Sequence, residues 1–475
     1  MEERNQTEQK KKENHTGKVP HIYVILFIMI LLASIASYII PAGSFERVKN
    51  ESGAEILQPG TFKFIHSDPI GIMDFMLSIP EGLIQSAEII FGILMIGGMF
   101  AVIERTGVID VGVNRLAHAF SNKGVWIVPT LMVPFALFTT FTGQVELSLV
   151  YLPAILPLII KLGFDKITAA AIVLVSTIAG FAIALTVPAN LGTAQEIAEL
   201  PIYSGIGYRI FIFIIILLLG IVFVWRYAKK VYDDPEKSMV YGEASEELSI
   251  NEDSSSPQKA TKRQKMVSLT LLIFFAILLF GLLKYAWYFR ELTGLYAIIG
   301  IVTGLVAGLR PSEIAESFNT GFRKILLGAL VVGVARGIAV VMTEGQIMDT
   351  IIYGFGQLVS VIPDSLTAVI MMFIQGLLNF LIPSGSGQAM VSMPIMSGLS
   401  DISGVTRQTA VLAFLMGDGF SNIFYPTSGY FMATLVIGGI RWEKWIKFIF
   451  PLLILWYGVC IVFLVIAQFI NYGPL

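Results

Sequence analysis

Between Ile22 and Ile40 the chain runs for 19 residues without a charged side chain, and comparable runs recur to its end. A helix needs about 20 apolar residues to cross bilayer hydrocarbon. This pattern limits the possible folds more than any other feature. Composition agrees: of 475 residues, 55% are hydrophobic and 14% charged, with a mean hydropathy of +0.76. Soluble domains are about 45–50% apolar and about 25% charged. The chain reads as an all-α polytopic membrane protein with the lipid bilayer as its first partner. The run at 22–40 exceeds the about 7–15 residues of a signal-peptide core and reads as a retained first helix.

Composition also narrows the chemistry. A net charge of −2 and the lack of a basic, aromatic-rich stretch point away from nucleic acid. Cys460, the single cysteine, excludes an intrachain disulfide and a CxxC zinc or redox site. His15, His21, His66 and His118 fall outside the most apolar segments, and no Walker A pattern occurs. Without a nucleophile–base or metal constellation at membrane depth, the chain is not expected to be an enzyme. No cofactor is expected beyond a coupling Na⁺ or H⁺.

Cytoplasmic loops collect Lys and Arg. Arg4, Lys10, Lys11, Lys12 and Lys18 place the tail 1–21 inside. The polar segment 228–265 opens with "AKKVYDDPEKS" and closes with "QKATKRQK", and reads as a disordered cytoplasmic linker between two halves. Full crossings are expected near 22–40, 83–103, 165–198, 208–227, 267–284, 295–309, 322–343, 406–438 and 446–468. About nine crossings put the tail 471–475 outside. Loop 104–123, with Arg105, Arg115 and Lys123, falls inside, whereas 344–364 has no Lys or Arg and falls outside.

The two halves share an order of motifs. "RTGVID" (105–110) matches "TEGQIMD" (343–349), and "TGQVELSLVYLP" (142–153) matches "SGQAMVSMP" (386–394). "GFDKITAAAIVL" (163–174) matches "GVTRQTAVLAFL" (404–415), and "AGFAIALTVPANLG" (179–192) matches "DGFSNIFYPTSGYF" (418–431). By the charge pattern, repeat 1 (83–227) begins outside and repeat 2 (316–470) inside. That is an inverted-topology repeat, common among secondary transporters. Segment 22–82 adds the first helix and an outside loop, and 266–315 adds two connecting helices.

Each copy contains two breaks. The apolar arms 125–139 and 366–382 are short for a span, so 124–162 and 364–403 read as re-entrant hairpins. Their tips are "TFTGQVE" (140–146) and "PSGSGQ" (383–388). The broken helices 165–198 and 406–438 are interrupted at "TVPANLG" (186–192) and "YPTSG" (425–429). Pro188 and Pro426 stop the helix there. Broken backbone at membrane depth is tolerated only against protein or a water-filled cavity, so the four breaks are expected to surround one site. Half-helix N-termini would favour a carboxylate. Thr142, Gly143, Gln144, Glu146, Asn190 and Thr193 are the first half's candidate ligands. Ser384, Gly385, Ser386, Gly387, Gln388, Thr427 and Ser428 are the second half's. Among these, Gly143, Gly385 and Gly387 permit tight turns and close approach. Isolated small residues, such as Gly97-Gly98 and Gly300/Gly304, read as helix packing.

Ionisable groups at this depth are costly and face a cavity or a partner. Glu146, beside the first tip, is expected to meet a substrate cation, a coupling proton or a coupled ion; its structural alternative is an ion pair with Arg336. Asp418 and Asn422 are further coupling or charge partners, and Arg336 is read chiefly as a counter-ion. The amphipathic segments 107–120 and 346–359 are expected in the interface, supporting a homodimer.

"PHIYVILFIMILLASIASYIIPAGSFERV" (20–48), "PIYSGIGYRI" (201–210), "GSGQAMVSMPIM" (385–396) and "GVTRQTAVLAFLMGDGFSNIFYPTSG" (404–429) resemble the YfcC-like family of four-carbon-dicarboxylate anaerobic carriers. That group lies in the ion transporter superfamily with the AbgT-type carriers. The resemblance covers nearly the whole chain. It implies a multi-pass protein of the bacterial cytoplasmic (inner) membrane, often dimeric, with a scaffold and an elevator-like transport domain. Its members are named for dicarboxylates, and close relatives exchange basic amino acids such as arginine for ornithine. The expected function is secondary active transport of a small carboxylate-bearing solute, by exchange or ion coupling. Two acidic residues and few basic groups favour an amino acid, and the resemblance adds basic ones, as in arginine/ornithine antiport, to the candidates. The alternative is a Na⁺- or H⁺-coupled dicarboxylate carrier.

The orientation is directly testable. In a Cys460→Ser background, Ser254→Cys is expected to react with an impermeant maleimide only after the membrane is opened, and Asn471→Cys in intact spheroplasts. The reverse pattern refutes it.

Overall fold

A computed structural model of the chain describes residues 22–49, 55–120, 124–242, 260–285, 287, 289–360 and 362–473. The expected tail 1–21, the linker's 243–259 and the last two residues lie outside the described residues. Helix α1 (Ile22–Ala36) leads into two small antiparallel ladders. Strand β1 (Gly43–Ser44) pairs with β4 (Lys63–Phe64), and β2 (Arg47–Lys49) with β3 (Glu55–Leu57). Helices α2 (Ile72–Gln85), α3 (Ala87–Arg105) and α4 (Val108–Phe120) follow. Next come α5 (Ile127–Thr142), α6 (Ser148–Lys161), α7 (Lys166–Ala182), the short α8 (Thr193–Ile197) and α9 (Ile206–Asp233). The second half holds α10 (Lys262–Tyr285), α11 (Phe289–Ala307), α12 (Pro311–Glu344), α13 (Met348–Ser360) and α14 (Asp364–Leu381). It ends with α15 (Gly385–Ile402), α16 (Arg407–Ser421), α17 (Gly429–Ile437) and α18 (Trp442–Phe469). Among the described residues, seven helices are long and apolar enough to cross a bilayer.

Helices α7 and α16 form the centre. All residues of Ile167–Ala182 and Gln408–Ser421 are buried, as befits helices without a charged face. Small residues let them approach. A Cβ at Gly419 would overlap the backbone of Ala182, one at Gly180 the Ala136 carbonyl of α5, and one at Gly417 the Met372 carbonyl of α14. In a membrane, where apolar burial gives little drive between helices, such close contact supplies the attraction.

The packing around this crossing comes in pairs. Helices α5 and α6 lie on α7 as α14 and α15 lie on α16. Helix α9 contacts α7 and α5 as α18 contacts α16 and α14, and α4 meets α6 as α13 meets α15. The second arms cross over: α6 packs on α17 and α15 on α8. Left-handed turn residues recur about 240 positions apart, at Gly107 and Gln346, Gly163 and Gly404, Glu199 and Gly439. Beside Gly163 and Gly404 the chain closes alike, with Phe164 N–H on Ile159 O at 3.1 Å and Val405 N–H on Ser400 O at 3.0 Å. These are Schellman closures. The next helix then starts on a side-chain cap, Asp165 for α7 and Thr406 for α16.

Helix α12, with 34 residues, is about 50 Å long and carries α1, α2, α3 and α17, while α11 packs on α3. Gly97, Gly98, Gly300 and Gly304 serve these contacts, facing Phe318, Ile325 or Ile314. Three features depart from the sequence reading. Residues 228–242, expected within a disordered linker, are ordered: α9 runs on to Asp233 and Ser238 returns to Asp165. Segment 22–82 contains a second helix, α2, whose pattern is disguised by Asp74, Pro80 and Glu81. The first arm of the first hairpin, with its leading turn, extends to 19 residues, Gly124–Thr142, rather than 125–139.

Asp165 anchors the entry to the centre. Its Oδ1 accepts from Thr168 N and Oγ1 at 2.8 and 2.7 Å, and its Oδ2 from Tyr227 Oη and Ser238 Oγ at 2.6 and 2.7 Å. Asp165→Ala removes a cap and two bonds to a charged acceptor. It is expected to destabilise the protein by about 3 kcal/mol, against about 1.5 kcal/mol for Tyr227→Phe, read from denaturant midpoints in detergent.

Candidate functional site

A helix that stops inside a protein leaves its last carbonyls without partners. Here both breaks are supplied from outside. In the first, Arg209 donates from Nε to Ala184 O at 2.9 Å and from Nη2 to Leu185 O at 3.3 Å. It also reaches Ser204 O at 2.6 Å and Tyr203 O at 3.3 Å. At the second, Trp445 Nε1 donates to Ile423 O at 3.0 Å and Trp442 Nε1 to Phe424 O at 3.1 Å. Arg209 and Trp445 are each the fourth residue of the helix that follows the half-helix.

The first break also holds the first tip. Leu185 N–H donates to Thr140 O at 2.8 Å and Thr186 N–H to the same oxygen at 3.4 Å. Thr186 Oγ1 reaches Phe141 O at 3.3 Å. Gly143 turns the chain at φ 74° against Val187, where a Cβ would collide. Beyond Pro188 a wide turn, Pro188–Gly192, leads into α8. The second tip is built differently. Ser384 caps α15 by accepting the Gly387 N–H at 3.3 Å. A Cβ at Gly385 would lie 3.0 Å from Asn190 Cβ, 3.2 Å from Phe181 Cζ and 3.3 Å from Asp418 Oδ2. The second tip, the first break and the last turn of α16 therefore meet at one point.

Around that point polar atoms stand buried and unpaired. Asp418 is 0% exposed, and among the described residues neither carboxylate oxygen meets a partner at hydrogen-bond distance, with the Asn422 amide lying beside it. Asn190 accepts from Leu191 N–H at 2.6 Å, but its Nδ2 is unpartnered. Gln388 Nε2 donates to Gln375 O at 2.8 Å and Oε1 at 2.7 Å, leaving Gln388 Oε1 and Gln375 Nε2 spare. Asn379 Nδ2 donates to Asp418 O at 3.1 Å and Ser421 Oγ at 2.8 Å, and its Oδ1 is free. Thr140 Oγ1, Thr427 Oγ1 and Tyr430 Oη are likewise unpartnered. Interiors rarely leave buried polar atoms unsatisfied, so these are donors and acceptors on offer.

The candidates from the sequence divide accordingly. Gly385, Asn190, Asp418 and Gln388 belong to this cluster. Asn422 joins it, donating to Asp418 O at 2.8 Å and accepting from Ser428 Oγ at 3.3 Å; Thr427 completes the turn after Pro426. Ser384 is exposed and acts as a cap, and Gly387 lies in the first turn of α15. Thr142 turns its hydroxyl back to Phe138 O at 2.9 Å. Gln144, Thr193 and Ser386 are half-buried and make no side-chain hydrogen bond among the described residues. Glu146 forms no ion pair among them, and its carboxyl reaches only its own backbone N–H. It lies in electrostatic reach of Tyr296 and Tyr430, beside Leu147, which packs with Tyr296 and Ile299 of α11. The ion pair weighed for Glu146 and Arg336 is not formed. Arg336 donates to Gln85 Oε1 at 3.2 Å, because Gly333 and Gly337 seat its stretch of α12 directly on α2.

Several residues escaped the sequence reading. Gln375 and Asn379, four apart in the apolar "MMFIQGLLNFL", carried a signal: two amides on one helix face. Arg209, leading the apolar run of α9, was another charge at depth. Thr140, Tyr430 and the two indoles carried no comparable mark.

A family model described as "DcuC: C4-dicarboxylate anaerobic carrier" matches residues 19–469. An Escherichia coli K12 protein named "Putative basic amino acid antiporter YfcC" is 29% identical over 98% of this chain and 99% of its own. A Haemophilus influenzae protein is 26% identical over 93% and 95%. Two solved structures are similar at 16% identity and 96% coverage of this chain. They are the Alcanivorax borkumensis YdaH transporter, TM-score 0.43 over 100% of its chain, and Neisseria gonorrhoeae MtrF, TM-score 0.42 over 97%. The chain belongs to the DcuC family of C4-dicarboxylate anaerobic carriers and is a membrane transporter.

Proposed function

We propose that this transporter is a secondary carrier of a small carboxylate-bearing solute, working as an exchanger of amino acids and foremost of basic ones. The observation that carries this reading is Asp418, wholly buried with both oxygens unpartnered where the second tip meets the first break. An unpaired carboxylate in a low-dielectric interior is expensive. A mobile cationic partner offsets that cost. A basic amino acid brings an ammonium or guanidinium for Asp418 and a carboxylate for the N-terminal N–H groups of α17 or α15. The neighbouring amides of Asn190, Gln375, Asn379 and Gln388 would fix its orientation.

In this reading the α5–α6 and α14–α15 pairs are re-entrant hairpins, and the halves are inverted repeats of a nine-crossing protein with its N-terminus inside. The paired contacts and matched turns support it. We further place it in the bacterial inner membrane as a homodimer that moves its substrate by an elevator-like shift. Relatives described for basic amino acids and for C4-dicarboxylates supply the two substrate classes to compare.

The test is exchange in proteoliposomes preloaded separately with arginine, ornithine, succinate or glutamate. Saturable arginine–ornithine exchange is expected. Asp418→Asn should weaken it by about 3–5 kcal/mol, about two to nearly four orders of magnitude in efficiency. Uptake confined to succinate, unaffected by Asp418→Asn, would replace this reading with a dicarboxylate carrier.

A further inference from the structure

Arg209 is 1% exposed, and no carboxylate lies within ion-pair distance among the described residues. Its acceptors are four backbone carbonyls and the Tyr472 hydroxyl, at 3.5 Å. Two of those carbonyls matter most. The Ala184 carbonyl and the Leu185 N–H belong to one peptide group, and the Leu185 carbonyl and the Thr186 N–H to the next. Both groups accept from Arg209 on one side and donate to Thr140 O, at the end of α5, on the other. A cation on a carbonyl polarises the peptide and strengthens its N–H as a donor. The guanidinium thus grips the first hairpin tip through two peptide units.

The second half lacks this linkage. Neutral indoles occupy the place of the guanidinium, and the corresponding N–H groups, of Phe424 and Tyr425, both turn back to Ser421 O of their own helix at 3.1 Å. Residues 382–387 make no hydrogen bond to residues 422–428 among the described residues. Near this tip the hairpin is held to α16 by Asn379 in its arm and to Tyr425 by the Phe380 ring, 5.2 Å between centroids. Its turn is an exposed serine followed by Gly385 and Gly387.

We propose that Arg209 is a positioning residue that clamps the first hairpin to the first break, so that the first hairpin is the fixed wall of the site and the second the moving one. This rests on the two tips and two breaks forming the transport site. Tyr472, near the chain's end, steadies the clamp. Its hydroxyl donates to Gly205 O at 2.7 Å beside the guanidinium, and its carbonyl accepts from Thr406 Oγ1 at 2.5 Å.

Hydrogen–deuterium exchange of the full-length protein in lipid nanodiscs tests this without any substrate. Failure of the transport assay and failure of the clamp are therefore separately visible. Amides of residues 142–144 and 185–187 are expected to exchange at least about tenfold more slowly than those of 384–387. Arg209→Gln should accelerate the first set about tenfold and leave the second unchanged. Tyr472→Phe should accelerate the same first set by about threefold. A defect that merely loosened the fold would speed both tips alike. Equal rates at the two tips in the unaltered protein overturn the proposal. So does an Arg209→Gln protein whose first tip is unchanged or whose tips accelerate together. If Arg209→Gln does not fold, Tyr472→Phe decides, and an unchanged first tip in that variant also refutes the clamp.

Discussion

Peptide groups inside a membrane protein must find partners, because lipid offers none. A chain that interrupts two helices at its centre takes on that requirement twice, at neighbouring points. The carbonyls freed at Ala184, Leu185, Ile423 and Phe424 are met by Arg209, Trp445 and Trp442. All three donors come from the first turn of the helix that follows each half-helix. The path of the chain after the break is thus dictated by the break itself. Once α9 and α18 are placed, the crossing of α7 and α16 has its outer support, and the hairpins fill the remaining faces.

The choice of donor makes the halves chemically unlike. A guanidinium brings a permanent charge and five N–H groups, whereas an indole brings one N–H and a large apolar ring. The positive charge lies at the C-terminal end of α7, where a helix carries partial negative charge. The corresponding end of α16 has no cation among the described residues and instead presents Asp418 within its last turn. A near-symmetric backbone therefore encloses a polarised interior, one side neutralised and the other open to a cation.

Periodicity and charge made much of this legible. Apolar runs located most long helices, and the motifs shared by "GFDKITAA" and "GVTRQTAV" led to turns and caps that do coincide in the structure. Asp418, Asn190, Gly385 and Gln388 were found because polar or glycine residues inside apolar sequence carry an obvious cost. Partnerships were not legible. Glu146 and Arg336 looked complementary by type, but which face of α12 meets which helix depends on Gly333 and Gly337 touching α2, a tertiary fact. Gln144, Thr193 and Ser386 were included for proximity in sequence, which says nothing of direction. Helix α2 was missed because Pro80 and two acidic residues break its apolar pattern, although the burial of Ser78 and Gly82 on α12 stabilises it.

The crossed packing of α6 on α17 and of α15 on α8 has a consequence for how far either half could stand alone. Each half caps its own break, with Arg209 and Thr140 in the first and Trp442 and Trp445 in the second, but one face of each half-helix is covered by a hairpin arm of the other half. A single half would leave that face of its half-helix bare, so the two halves pack as one unit rather than as separable domains. The halves are thus free to differ in the cap each uses, arginine in one and tryptophan in the other, but not in the arm each lends its partner.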